Sequence, residues 1–208
     1  MPISELVIGS LRPDVAQKGL VAIRTSVPKV FSTVPGSLSN HVGHIIKLNG
    51  KDVSSEYKPI LGLEWNEASD FHAFYPASEA FQAFVGVFGP YAAAKARPQL
   101  FQPSPSSASF LDTFSLGVAQ IFIASAAQDK KNDLTGAWDN FLEVLKKEGE
   151  FEQWSGWGIE EDEGTWVGIV GWKGVDEIEH RSEHASVSKA VQKLKALSEL
   201  DEYVVSFT

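Results

Sequence analysis

Three side chains in the first half of the chain have the chemistry of a general acid or base. His41 and His44 lie three residues apart in a segment with a strand pattern, so their side chains face opposite sides of it. A histidine with apolar neighbours has a lowered pKa and can act as a base near neutrality, although a core histidine bonded to a backbone carbonyl is more common. Glu64 precedes Trp65 in the next predicted strand and points to the opposite face. If that face borders an apolar cavity, Glu64 is a candidate acid or base, and an ion pair with Lys58 is the alternative.

Four of the six tryptophans fall within one predicted hairpin, and glycines separate them. They are Trp154, Trp157, Trp166 and Trp172. Glycine beside large aromatic rings leaves space that a flat apolar ligand could fill. Simple packing of these rings in a core is the alternative, and it is the more common role of such residues.

Two further histidines have a spacing that metal sites use. His180 and His184 lie four residues apart on one face of a predicted helix, and Asp176 continues that face. Because the sequence supplies no obvious further ligand, we expect no metal and no cofactor. His72 lies off the apolar stripe of its own predicted helix, at a rim from which it could reach the mouth of a cavity.

The composition limits the classes of function. The chain has 208 residues, 43% of them apolar, which is enough to bury one large core or two small ones. A net charge of -9 without a cluster of Lys or Arg argues against nucleic acid and an anionic membrane surface as partners. The absence of cysteine excludes disulfides, thiolate-bound metals and a cysteine nucleophile. Neither a signal peptide nor an apolar run of roughly 20 residues is recognisable, so we expect a soluble, cytoplasmic protein.

Apolar periodicity predicts the same order of elements in each half: strand, helix, strand, strand, helix, strand. Predicted strands cover residues 6–11, 41–48, 57–65, 100–101, 116–124, 151–159, 165–172 and 203–207. Predicted helices cover residues 14–34, 69–88, 134–147 and 175–197. Pro76 should break the second of these helices, with a new helix starting on the proline. Asn49-Gly50 is typical of a hairpin turn, and residues 103–107 (PSPSS) have the composition of a linker.

This order of elements is that of the ferredoxin-like module, an α+β fold with both helices on one face of an antiparallel sheet. We predict two such modules in tandem, over residues 1–103 and 110–208. The strand 165–172 (TWVGIVGW) is apolar on both faces, which is typical of a strand that is buried twice. The uncovered sheet faces should therefore pack against each other within one chain and enclose an apolar cavity.

Two segments resemble a known family. Residues 62–71 (GLEWNEASDF) and 170–178 (VGWKGVDEI) resemble the strand-end aromatic residue and helix start of the antibiotic-biosynthesis-monooxygenase (ABM) branch of the dimeric α+β barrel superfamily. The resemblance covers nearly the whole chain, once in each half. In this family two identical chains usually form the barrel. A tandem copy implies that one chain forms it alone, as a monomeric pseudo-dimer or within a further homodimer.

The resemblance implies several chemistries, and fold alone does not choose among them. Haem-degrading members carry a tryptophan and an iron-ligating histidine on the second helix. These positions fall near Phe74 and Phe84 in the first half and near Arg181 and Val191 in the second. Neither half keeps the iron ligand, so haem degradation of this type is not expected. Polyketide cyclases carry a His-Pro-Ala-His-like segment. Residues 75–78 (YPAS) resemble it, with a serine in place of the catalytic histidine.

The sequence therefore predicts an ABM-like enzyme, a cofactor-independent monooxygenase or polyketide cyclase, that acts on a hydrophobic aromatic or polyketide-like molecule in the barrel cavity. His44 or His41 would act as the base, with Glu64 and Tyr75 as polar partners. The predicted substrate-binding residues are Trp65, His72, Trp154, Trp157, Trp166, Trp172 and His184. Two alternatives stay open: a non-catalytic ligand-binding or stress-response protein, and a haem-binding protein whose histidine lies outside the family position.

Overall fold

The computed structural model describes residues 1–105, 107 and 109–207. Ser106, in the predicted linker, and Thr208, the last residue of the predicted second module, lie outside the described residues. Within the described part of the chain, eight strands close into an antiparallel barrel in the order β2-β4-β1-β5-β7-β8-β6-β9, and β9 pairs back to β2. The strands are β1 (Ile3–Ile8), β2 (Ser37–Leu48), β3 (Lys51–Asp52, a short hairpin partner of β2), β4 (Pro59–Trp65), β5 (Pro98–Pro103), β6 (Val118–Ser125), β7 (Glu152–Gly158), β8 (Thr165–Trp172) and β9 (Glu199–Ser206).

Six helices of the described residues pack outside the barrel and a seventh packs inside it. They are α1 (Ala16–Phe31), α2 (Ala68–Phe74), α3 (Glu79–Phe88), α4 (Phe110–Ser115), α5 (Lys131–Lys146), α6 (Val175–Ser182) and α7 (Ala185–Leu197). The strand order β2-β4-β1-β5 of the first half returns as β7-β8-β6-β9 in the second. The α+β class is thereby confirmed. In the described residues no helix is both long and apolar enough to cross a lipid bilayer.

Local sequence signals place most of the elements. Strand β8 has the predicted bounds, and the Asn49-Gly50 turn forms with positive φ at both residues, 50° and 79°. The predicted break at Pro76 is confirmed, but α3 begins at Glu79 rather than on the proline. The reason is that the Ser78 side chain accepts a hydrogen bond from the backbone N–H of Phe81 and so caps the helix at this point. The long helix predicted over 175–197 is wrong in one respect: it divides into α6 and α7 between residues 182 and 185.

The barrel interior is filled with apolar side chains. Every strand of the barrel contributes at least one of them: Leu6, Ile45, Ile60, Phe101, Ala119, Ile121, Trp154, Val167, Ile169 and Val205. Helix α4, for which the sequence predicted no element, adds Phe110 and Phe114, which are 0% and 1% exposed. Their rings meet edge to face, with centroids 4.7 Å apart. The prediction of a substrate cavity between the two sheets is therefore wrong, because buried aromatic side chains fill this space.

Helix α4 makes different contacts with the two halves. On the first half, the Glu64 carboxylate accepts the backbone N–H of Phe110 at the start of the helix. On the second half, a Cβ at Gly171 would lie 2.4 Å from the backbone oxygen of Thr113, so only glycine leaves room for the helix backbone there. Glu64 and Gly171 each precede the tryptophan that ends the third strand of their half. The two residues thus match the different contacts that α4 makes with the two halves.

Candidate active site

A pocket of about 620 Å³ lies outside the barrel, between the sheet of the first half and helix α3. This volume falls in the range of about 300–1,000 Å³ that is typical of sites for small molecules. The floor is formed by the outward faces of β1 and β4, including Glu5, Val7, Leu61 and Leu63. The segment that joins α3 to β5, residues 89–96, closes one side and is rich in alanine.

The pocket exists because α3 does not pack closely on the sheet. In the described structure α3 has no buried residue, although eight of its ten residues are alanine, glycine, valine or phenylalanine. Phe81, Phe84 and Phe88 are only half-buried, and all three line the pocket. Two of these rings stack in parallel, Phe84 on Phe88 with centroids 6.1 Å apart. The walls are thus aromatic and apolar, and they suit a flat hydrophobic ligand.

One carboxyl group lies in the floor of this apolar pocket. Glu5 is 5% exposed, and its Oε2 accepts a hydrogen bond from Nε1 of Trp65 at 2.7 Å. Burial raises the pKa of Glu5 to about 7, and the hydrogen bond from Trp65 opposes part of that rise. A carboxyl group that titrates near neutrality can take a proton from a substrate and return it, which is what a general acid–base catalyst requires.

Two of the predicted site residues belong to this pocket. Tyr75 lines it, stacked on Phe71 with centroids 5.3 Å apart. Trp65 is completely buried behind it and holds the Glu5 carboxyl group by the hydrogen bond described above. The structure therefore gives Trp65 the role of a partner of Glu5 rather than that of a ligand-contacting wall.

The two histidines predicted as bases lie elsewhere. His44 faces α1, where its Nδ1 accepts a hydrogen bond from Nη2 of Arg24 at 3.1 Å. Burial, and then the positive charge of Arg24, lower the pKa of His44. His41 faces the barrel interior, with its ring 5.8 Å from that of Phe114, and burial lowers its pKa too. Both imidazoles are neutral near pH 7, but neither reaches the pocket.

Glu64 also faces the barrel interior rather than the pocket. Its Oε2 accepts a hydrogen bond from Oγ of Ser39 at 3.2 Å. Burial raises the pKa of Glu64, while the hydrogen bonds from Ser39 and from the N–H of Phe110 lower it. The alternative of an ion pair with Lys58 is not formed, because Lys58 pairs with Glu56 at 2.7 Å. The contacts of Glu64 thus position α4.

The four tryptophans of the second-half hairpin do not form one wall. Trp154 points into the barrel, edge to face with Phe110 at 4.8 Å. Trp166 and Trp172 point the other way, into the core beneath α5 and α7. Trp157 lies at the margin of that core under the ammonium group of Lys131, 4.9 Å from the ring centre. These rings take part in packing on both faces of the sheet.

The remaining predicted histidines lie on the surface. His72 is half-exposed and its Nε2 lies 2.9 Å from Oε1 of Glu160. His184 precedes α7, with its Nδ1 3.2 Å from Oε2 of Glu148. Across the described residues no three His, Cys, Asp or Glu side chains group together as a metal site would require. Histidine is also missing from the described residues that line the pocket, so haem held there by a histidine does not fit this site.

The second half has a corresponding but smaller space. In the first half Ile3 of β1 pairs with Trp65, and Glu5 lies two residues after Ile3. In the second half Val118 of β6 pairs with Trp172, and Gln120 lies two residues after Val118. Gln120 therefore corresponds to Glu5. The Gln120 amide donates to Glu202 at 2.8 Å. Nε1 of Trp172, which corresponds to the donor of Trp65, has no hydrogen-bond partner among the described residues. The pocket here measures about 250 Å³ and has Gln120 at the position of Glu5, while the carboxylate of Glu202, which Gln120 contacts, also lines it.

Glu5 is the functional candidate that the sequence analysis did not name. The predicted strand began at Leu6, one residue too late to include it, whereas β1 begins at Ile3. The available signal was a single carboxylate on the same strand face as Ile3 and Val7, in the segment ISELVI. A charged residue on an otherwise apolar face of a strand marks a buried, partnered group.

No protein-family model matches the chain, and no curated protein matches it. Solved structures do resemble it over its whole length. An anthrone oxidase-like protein is 11% identical with a TM-score of 0.72, and the alignment covers 100% of this chain and 91% of that one. A proposed monooxygenase from Fusobacterium nucleatum is 12% identical with a TM-score of 0.68, covering 100% and 93%. A proposed chlorite dismutase is 13% identical with a TM-score of 0.61, covering 100% and 95%. At such identities the likeness shows a shared fold, the α+β barrel formed within one chain.

Proposed function

We propose that this protein is an ABM-like enzyme that binds a hydrophobic aromatic or polyketide-like molecule in the first-half pocket and uses Glu5 as its general base. The observation that carries the proposal is a buried carboxyl group with a pKa of about 7 in the floor of an apolar pocket of about 620 Å³. The pocket replaces the barrel interior as the proposed place of the reaction. Tyr75 stays a candidate polar partner because its ring lines the pocket.

The proposed reaction is that of a cofactor-independent monooxygenase. Glu5 takes a proton from an acidic CH₂ group of an anthrone-like substrate and leaves a carbanion that the aromatic rings delocalise. The carbanion reduces O₂ and forms a C–O bond, and the resulting peroxide takes up the proton. Loss of water then leaves a carbonyl group, so that one CH₂ group and one O₂ give one C=O group and one H₂O. We prefer this chemistry to the cyclase alternative because Ser78 stands in place of the catalytic histidine that polyketide cyclases carry in the segment that residues 75–78 resemble.

We further propose that the two halves, residues 1–103 and 110–208, are tandem ferredoxin-like modules, and that the active site belongs to the first. The repeated strand order and the corresponding tryptophans support this arrangement. In the smaller pocket Gln120 replaces the acid, and the other carboxylate there, Glu202, is paired with Lys195 at 2.7 Å, which argues against a second active site of the same kind.

The test is turnover of anthrone, followed by O₂ uptake and product analysis, over pH 5 to 9. Because the base must be deprotonated, we expect kcat/KM of the wild-type protein to rise with pH and to level off above about pH 7. Glu5→Gln should bind anthrone but turn it over about 10²–10⁴-fold more slowly. Binding by the wild-type protein without turnover would instead support the non-catalytic ligand-binding alternative.

A further inference from the structure

The pocket carries one positive charge, Lys95. It lies in the alanine-rich segment between α3 and β5, and its side chain is exposed at the edge of the pocket. Lys95, like several other exposed lysines, makes no ion pair with any residue that the structure describes. In a protein with an excess of acids, an unpaired lysine at the rim of an apolar pocket is a free contact for an anion.

A second, shallower depression adjoins the pocket at this lysine. It measures about 260 Å³ and lies at one end of the barrel. Gly9, Lys95 and Ala96 line both spaces, so the two are neighbours across these three residues. The depression is also lined by Lys58 and Ser10, which are a second cation and a hydroxyl donor. A ligand could extend from the pocket into the depression by passing Lys95.

The second lysine, Lys58, can contact an anion at little cost in stability. Lys58 pairs with Glu56 at 2.7 Å, but the two side chains are 32% and 49% exposed, and exposed ion pairs of this kind contribute little to stability. Tyr203, which also lines the depression, has its pKa raised to about 12 by burial and by the nearby Asp201. Its hydroxyl group therefore stays neutral and adds no negative charge beside the two lysines.

We infer that the ligand of this site is amphipathic: its aromatic body occupies the pocket above Glu5, and an oxyanion substituent lies between Lys95 and Lys58. This inference rests on the proposed function, since it assigns the substrate class of the same site. A carboxylate, sulfonate or phosphate group would meet the requirement equally, because each presents a negatively charged oxygen to an ammonium group.

Two fluorescent probes that share one aromatic body test the inference. Anilinonaphthalene sulfonate carries a sulfonate, and N-phenyl-1-naphthylamine lacks it. We expect the wild-type protein to bind the sulfonate about tenfold more tightly. Lys95→Gln should weaken binding of the sulfonate by about five- to tenfold and change binding of the neutral probe by less than twofold. Lys58→Gln should have the same selectivity with a smaller effect, and Lys18→Gln, a lysine on the exposed side of α1, should change neither.

A further variant locates the bound probe. Ala93→Trp places a large ring at an exposed position that lines the pocket, and it should weaken both probes. Suppose that Ala93→Trp weakens binding of the neutral probe, but Lys95→Gln does not change the affinity for the sulfonate probe. The inferred anion site is then wrong, and the pocket of the proposed function stands. If neither probe is sensitive to Ala93→Trp, both the pocket and the inference are overturned.

Discussion

The two helix–sheet layers of this molecule have the same strand order but a different degree of closure. In the second half α7 buries Val187, Ala190 and Leu194 against the sheet. In the first half α3, which occupies the corresponding place in the order of elements, has no buried residue in the described structure. The result is a pocket of about 620 Å³ in one half and of about 250 Å³ in the other.

The polar groups beneath α3 and α7 also differ between the two halves. The tryptophan at the end of the third strand is kept in both halves, but it donates to a buried acid only in the first. In the second half the space above Trp172 is reduced by Arg181, whose guanidinium group lies 4.9 Å from the centre of the ring. In the second half, close packing of the helix on the sheet thus occurs together with Gln120 in place of the acid on the first strand.

The largest effect that should separate the two halves is on turnover. Glu5→Gln should lower kcat by about 10²–10⁴-fold, because general base catalysis contributes on that order. Gln120→Ala, at the corresponding position, should leave kcat within twofold. The measurement is O₂ uptake with a saturating substrate at pH 8. Equal losses of kcat in Glu5→Gln and Gln120→Ala would show that the structural difference between the halves has no counterpart in catalysis.

The next effect is on packing. Leu194→Ala should lower the free energy of unfolding by about 2–5 kcal/mol, because the residue is fully buried and a cavity remains. Phe84→Ala removes more atoms, yet it should cost only about 1–2 kcal/mol, since Phe84 is half-buried above an existing pocket. Urea unfolding of both variants measures the difference. A larger loss for Phe84→Ala would mean that α3 packs on the sheet as closely as α7 does.

A smaller effect should appear in the pH dependence of stability. The pKa of Glu5 is about 7 in the folded protein and near 4.5 in the unfolded chain, so between these values the folded state holds a proton that the unfolded chain has released. Raising the pH through this range therefore lowers the stability of the wild-type protein, by about 3 kcal/mol at its full extent. Glu5→Gln should lack this loss and be the more stable of the two at pH 8.

The second half supplies the matched control for this pH effect. Gln120 is 6% exposed and already touches a carboxylate, Glu202. Gln120→Glu should therefore acquire a raised pKa from burial and from the neighbouring negative charge, and its stability should fall as the pH rises. Urea unfolding at pH 5 and pH 8 measures both slopes. Parallel slopes for the wild-type protein and Glu5→Gln would rule out a buried titrating group at position 5.

The barrel strands and most outer helices could be predicted from the sequence because their apolar periodicities are long. Strand β8 and the break near Pro76 are examples. Helix α4 could not, because it is six residues long and follows a segment rich in proline and serine. Its two phenylalanines have meaning only once the barrel is closed around them.

The candidate site was predicted only in part. Tyr75 and Trp65 lie at the pocket or behind it, whereas His41 and Glu64 face the barrel interior and His44 faces α1. Periodicity does assign alternate residues to opposite faces of a strand, but it does not say which face borders empty space. That depends on how closely α3 approaches the sheet, which is a property of the tertiary packing.

The position of α4 bears on how such a barrel can be built. Two identical chains related by a twofold axis would present the same residue at both ends of a helix lying across that axis. This chain presents a carboxylate at one end, Glu64, and a bare backbone at the other, Gly171. A single central helix with these contacts therefore matches a barrel whose two halves differ in sequence, as they do within this one chain. The asymmetry at this helix inside the barrel is matched outside it, where one half encloses about 620 Å³ and the other about 250 Å³.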